Sequence, residues 1–147
     1  MNRLIQEGYD LVIATNESRQ NLDVLMKCFG IEHIFCVTCC ADEVRRPKPW
    51  PDMGEKVLQQ TGVTAANTLM VGDSVCDIEV AQQTGMKACA VGWGGTPLHR
   101  LIDSSPDWAI TETRQLFHIL GTSQKMPNFK HVLVNGTGRI SETLLAS

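Results

Sequence analysis

The sequence predicts an α/β protein of three α/β/α layers, a Rossmann-like, doubly wound parallel sheet with helices on both faces. Two features predict it. Short, nearly continuous apolar runs, as strands buried on both faces require, alternate with stretches whose apolar residues recur at helical spacing. The 147 residues, 43% hydrophobic and 20% charged, are enough to bury one core, so a single domain is expected.

RLIQEGYD reads as the closing turns of a helix. Tyr9 to Ala14 is the first buried strand, with Thr15 at its carboxyl end. Over residues 18 to 29, Leu22, Leu25, Met26 and Phe29 keep helical spacing; Asn16 or Ser18 can cap the start, and Gly30 stops the end. IFCVT is the next strand, followed by a loop, a helix near PDMGEKVLQQTG, the strand NTLMVG and the helix SVCDIEVAQQTG. KACAVGW and PLHRLID repeat the pair, and a strand around Asp107 to Ile110 with a helix from Glu112 to Leu120 ends the alternation. Residues 1–120 are the expected core, and 121–147 a linker (GTSQKMPN) and tail, in which KHVLVNGTG offers one more strand running into a glycine turn.

The formal net charge of -3 and the scattered basic residues argue against a nucleic-acid partner, which calls for clustered positive charge on one face. No run approaches the roughly 20 apolar residues needed to cross a bilayer. The start, MNRLIQEGYD, lacks the long apolar core of a signal peptide, so a soluble, cytoplasmic protein is expected. The six cysteines read as thiols: Cys36, Cys39 and Cys40, with Cys28 and His33 nearby, have no second pair at zinc-ribbon spacing. None of His33, His99, His118 and His131 is spaced to pair with another ligand or a nucleophile, and Trp50 and Trp93 read as packing residues rather than pocket walls.

In doubly wound sheets ligands bind outside the carboxyl ends of the strands, which draws attention to three segments. In LVIATNES, Thr15 and the amides beyond it end a strand and open a helix, an arrangement that suits a phosphate; equally, Thr15 and Asn16 could simply begin and cap that helix. In RRPKPWPD, Lys48 is mounted between Pro47 and Pro49, so a flexible cation stands on stiff backbone and can neutralise a phosphate; a solvated loop lysine is the plainer alternative. In LMVGDSVCDIEVAQQTG, an apolar strand feeds Gly72, Asp73 and Ser74, with Asp77 one turn into the next helix. Hard carboxylate oxygens at a strand end suit magnesium, while the two acids could also merely favour the positive end of the helix.

These three segments, in this order, resemble the second, third and fourth motifs of the haloacid-dehalogenase-like superfamily, and the nearest subgroup looks like the phosphoglycolate-phosphatase-like enzymes. The resemblance runs from about Leu4 to Leu120 and includes the GWGGTP stretch. It implies that Thr15 and Asn16 bind the transferring phosphoryl group, Lys48 stabilises its charge, and Asp73 and Asp77 hold Mg²⁺, with Gly72 and Ser74 shaping the metal loop. It also implies a small phosphorylated metabolite as substrate and hydrolysis through an aspartyl phosphate.

The family's nucleophile lies in an Asp-x-Asp-Gly-Thr motif at the end of a first, central strand, and this sequence contains no Asp-x-Asp. The first strand and the helical cap are expected to be absent, as though the front were truncated. The tail segment HVLVNGTG faintly echoes that motif, as in a circular permutation; aligned on Gly136 and Thr137, it puts Asn135 at the acid-base position and Leu133 at the nucleophile. A leucine cannot attack phosphate. The expected function is therefore a magnesium-dependent phosphomonoester hydrolase, incomplete and weakly active or inactive alone. The rival expectation is a non-catalytic phosphate- and magnesium-binding or scaffold protein. A third is assembly, in which a homodimer or a complementing chain completes the sheet.

Overall fold

The computed structural model describes residues 1–121 and 130–134. The elements are α1 (Asn2–Gln6), β1 (Asp10–Thr15), α2 (Arg19–Phe29), β2 (Phe35–Cys40), α3 (Asp52–Thr61), β3 (Thr68–Gly72), α4 (Val75–Thr84), β4 (Lys87–Val91), α5 (Leu98–Asp103), β5 (Trp108–Ile110), α6 (Thr113–Gly121) and β6 (His131–Val134). Local chemistry sets the boundaries. Helix α2 starts where the Ser18 side chain accepts the Asn21 N–H, and it stops at Gly30, whose φ of 64° is left-handed and costs glycine little.

The six strands of the described residues form one sheet in the order β2-β1-β6-β3-β4-β5, and every neighbouring pair is parallel. Successive side chains of each strand point to opposite faces, and the alternation sorts the core into two layers. Leu11 and Ile13 of β1 join Leu4 of α1, Leu22 and Met26 of α2, and Leu116 and Leu120 of α6. Val12 and Ala14 join Met53 and Val57 of α3, Ile78 and Ala81 of α4, and Leu101 of α5. Helices thus cover both faces, which is the three-layer, doubly wound architecture that the sequence pattern predicts.

The tail segment supplies the strand between β1 and β3. Leu133 lies opposite Val12 on one side and Met70 on the other, and Val132 lies opposite Leu11 and Leu69. Val132 enters the first core layer and Leu133 the second, both fully buried. The approach is fixed on both sides, since the Lys130 N–H donates to the Asn67 carbonyl and the Asp10 N–H donates to the Lys130 carbonyl, each at 2.9 Å. This strand pairs the edges of β1 and β3 within one chain, which removes the unpaired backbone on which the expectation of a homodimer or complementing chain rested. Asn135, Gly136 and Thr137 of the echoed motif lie outside the described residues.

Two aromatic and histidine readings change. Trp93 packs against the first core layer, but Trp50 is half exposed, with the Arg46 guanidinium 4.7 Å from its ring centroid. The proline-framed turn that carries Trp50 turns the ring outward, so packing is not its role. His131, given no role from the sequence, is buried at the amino end of β6, its Nε2 3.4 Å from Asp10, and burial pushes its pKa below the usual histidine value. All six cysteines are free, and burial raises the thiols of Cys40 to about 11 and Cys89 to about 12.

Candidate functional site

Because all strands are parallel, their carboxyl ends open on one edge of the sheet, and the three polar segments meet there. Thr15 is the last residue of β1 and is fully buried. Its Oγ1 accepts the Glu17 N–H at 3.1 Å, which leaves the hydroxyl proton as a donor.

Lys48 reaches this edge from a turn closed by the Trp50 N–H donating to the Pro47 carbonyl at 3.1 Å. Its side chain is 2% exposed. The ammonium donates to the Ala14 carbonyl at 2.8 Å and to Asp77 Oδ1 at 2.6 Å, so the tip of β1 and the first turn of α4 hold it between them. Asn16 grips the same residue from the other side: its Nδ2 donates to the Lys48 carbonyl at 2.9 Å, and its Oδ1 accepts the Lys48 N–H at 3.0 Å. The solvated-lysine reading does not survive these contacts.

Asp77 is fully buried, and its Oδ2 accepts the Ser74 N–H at 3.1 Å, completing a capping box at the start of α4. Burial pushes its carboxyl above the ordinary aspartate range, against the pull of the Lys48 ammonium. Removing both ions from water costs several kcal/mol each, which pairing and the extra hydrogen bonds must offset. Gly72 makes this approach feasible, because a Cβ there would come within 2.3 Å of Asp77 Oδ2.

Asp73, partly exposed, stands at the mouth of β3. Its Oδ2 accepts the Gly95 N–H at 2.8 Å, and Gly94 lies so close that a Cβ at that position would be 2.0 Å from the Asp73 Cβ. The loop after β4 therefore seats the Asp73 carboxylate, a function of the GWGGTP stretch that no local pattern reveals.

Carboxylate oxygens are the donors a hard divalent cation takes. Asp73 offers such oxygens at the strand mouth, whereas both oxygens of Asp77 already accept hydrogen bonds in a sealed position. Among the described residues no three His, Cys, Asp or Glu side chains gather into a group able to hold a metal. Among them, too, no helix is long and apolar enough to cross a membrane.

An all-parallel sheet with polar residues gathered at one edge places the chain among the doubly wound α/β proteins. Residues 1–91 match the haloacid dehalogenase-like hydrolase family, and the chain belongs to that family. It is 32% identical over 124 residues to a phosphoglycolate phosphatase of Aliivibrio fischeri, covering 84% of this chain and 55% of that protein. It is also 32% identical over 120 residues to pyrophosphatase PpaX of Bacillus cereus, covering 82% of this chain and 56% of the other. A crystal structure of a predicted phosphoglycolate phosphatase from Haemophilus somnus superposes with a TM-score of 0.75 at 26% identity, covering 80% of this chain and 52% of that one. The chain thus spans about half the length of the curated relatives it matches.

Proposed function

We propose that this chain is the phosphate- and magnesium-binding core of a phosphoglycolate-phosphatase-like phosphomonoester hydrolase, acting on a small phosphorylated metabolite, and weakly active or inactive alone. One observation carries the reading: Thr15, Lys48, Asp73 and Asp77, from three separate segments, stand at or beside the carboxyl ends of β1 and β3, with the lysine drawn into the interior. A surface loop lysine has no reason to accept that desolvation.

The Thr15 hydroxyl and the backbone amides of the β1-to-α2 turn, that of Asn16 among them, cradle the phosphoryl group. Lys48 offsets its charge. Asp73 would hold Mg²⁺, with Asp77 behind it as the anchor of Lys48, and Gly72 and Ser74 shape the loop. Magnesium bound there would draw charge from the phosphoryl oxygens. The relatives act on different phosphates, a phosphoglycolate and a pyrophosphate by their names, so the substrate class is proposed no more finely.

Leu133 favours a second reading, that of a non-catalytic binding or scaffold protein. It is a buried apolar side chain on the strand between β1 and β3, and it cannot act as a nucleophile. The two readings separate in one experiment: magnesium-dependent hydrolysis of p-nitrophenyl phosphate, with phosphate binding by calorimetry, for the chain and its Asp73→Asn variant. Phosphate binding that needs magnesium and Asp73, with feeble turnover, is the expected result. Vigorous turnover abolished by Asp73→Asn would overturn the claim that the chain lacks a nucleophile. Absence of magnesium-dependent phosphate binding would sink both.

A further inference from the structure

We infer that Asn16 is a positioning residue: its carboxamide clamps the backbone of Lys48 and thereby aims the ammonium, acting on the ligand only through that lysine. The inference rests on the phosphate-site reading above and goes beyond it, since it moves the Asn16 side chain from the phosphate to the loop.

Three observations carry it. Pro47 and Pro49 have no backbone N–H, so Pro47-Lys48-Pro49 offers a single main-chain donor, that of Lys48, and Asn16 Oδ1 accepts it at 3.0 Å. The Asn16 Nδ2 returns a hydrogen bond to the carbonyl of the same residue at 2.9 Å. Because an N–H must face an acceptor, the first bond fixes which end of the carboxamide is oxygen, and both polar ends are then directed at Lys48. The neighbouring carbonyls are satisfied elsewhere: the Trp50 N–H donates to Pro47 at 3.1 Å, and Gln83 Nε2 of α4 donates to Pro49 at 2.8 Å. The loop is thus held to β1 by Asn16 and to α4 by Gln83, and the lysine side chain spans the same two elements through Ala14 and Asp77.

A two-way clamp is not needed for a lysine whose direction is unimportant. Prolines stiffen the turn internally but give it no donors with which to attach to the sheet; Asn16 provides that attachment one residue beyond Thr15. A hydroxyl also donates and accepts, but from one atom; only a carboxamide sets a donor and an acceptor on two separate atoms, as the N–H and carbonyl of Lys48 require.

The test has two arms. In the first, the full chain is pulsed with an amine-acylating reagent, and modification of Lys48 is followed by peptide mass spectrometry, with Lys27 as an exposed internal control. Loss of two hydrogen bonds should raise Lys48 labelling at least roughly tenfold in Asn16→Ala, with Asn16→Asp, which keeps only the acceptor, in between. Unchanged Lys48 labelling overturns the clamp, whatever happens to ligand binding. In the second arm, inorganic phosphate binding with magnesium is compared across wild type, Asn16→Ala, Lys48→Met and the double variant. Action through the lysine predicts that Asn16→Ala weakens binding in the wild type but adds nothing once Lys48 is gone. Additive losses would make Asn16 a direct ligand and overturn the inference. If wild type binds no phosphate, the phosphate-site reading fails while the labelling arm still decides the clamp; the labelling arm also needs no Lys48 variant, should that one not fold.

Discussion

At the residue scale, the energetic centre of the site is the buried pair of Lys48 and Asp77, joined at 2.6 Å. Truncating one partner strands the other charge away from water, so Lys48→Met is expected to cost about 3–5 kcal/mol in urea denaturation. The double variant Lys48→Met with Asp77→Leu should recover much of that loss, because two apolar groups leave no orphaned ion. Gly94 lends itself to a different experiment. A methyl there would lie 2.0 Å from the Asp73 Cβ, so Gly94→Ala must displace the carboxylate that the Gly95 amide holds. On the proposed role of Asp73, magnesium affinity measured by calorimetry should fall roughly tenfold or more, as when a metal ligand is reoriented from behind. Residue types and their places at strand ends were legible in the sequence, because Thr15, Gly72, Asp73 and Ser74 follow apolar runs directly. What each side chain touches was not: Lys48 and Asp77 are 29 positions apart, and Asn16 and Lys48 are 32 apart. No local periodicity carries pairings of that range.

At the element scale, β6 is four residues long and contributes to both core layers. Leu133→Ala should therefore cost about 2–5 kcal/mol, read from the urea midpoint at constant slope. The amino end of the strand brings a pH dependence. His131 titrates below its ordinary value of 6.5 when folded, because burial disfavours the charged form, with Lys130 adding repulsion and Asp10 opposing them. The unfolded chain then binds the proton more readily than the folded one. The contribution of neutral His131 is complete above pH 6.5 and is lost as the pH falls from there through the folded pKa, so stability should decline on acidification across that window. Replacing His131 with glutamine should flatten this part of the profile; a profile that keeps its slope would assign the loss to other groups. The strand itself was legible as HVLV, since a short, continuous apolar run bounded by a glycine turn suits a strand buried on both faces. Its berth between β1 and β3 was only an echo of a motif, for sheet order depends on which edges remain open once every other element has packed.

At the scale of the whole molecule, the sheet consists of the pair β2-β1 and the trio β3-β4-β5, with β6 between them. Native-state hydrogen exchange should find the amides of β1, β3 and β6 opening together, at the free energy of global unfolding, while the outer strands β2 and β5 exchange sooner. Protection of β1 that outlasts that of β6 would show the pair to be stable without its neighbour. The alternation of strands and helices made the three layers legible, because each crossover covers one face and each apolar strand demands cover on both. The central position of β6 also matters during synthesis. It is the last of the described strands to leave the ribosome, so a nascent chain that has reached Gly121 carries two partial sheets with facing, unsealed edges. Until the closing segment emerges, those edges are what a chaperone can grasp, and the rate of translation past Gly121 sets how long they stay within its reach.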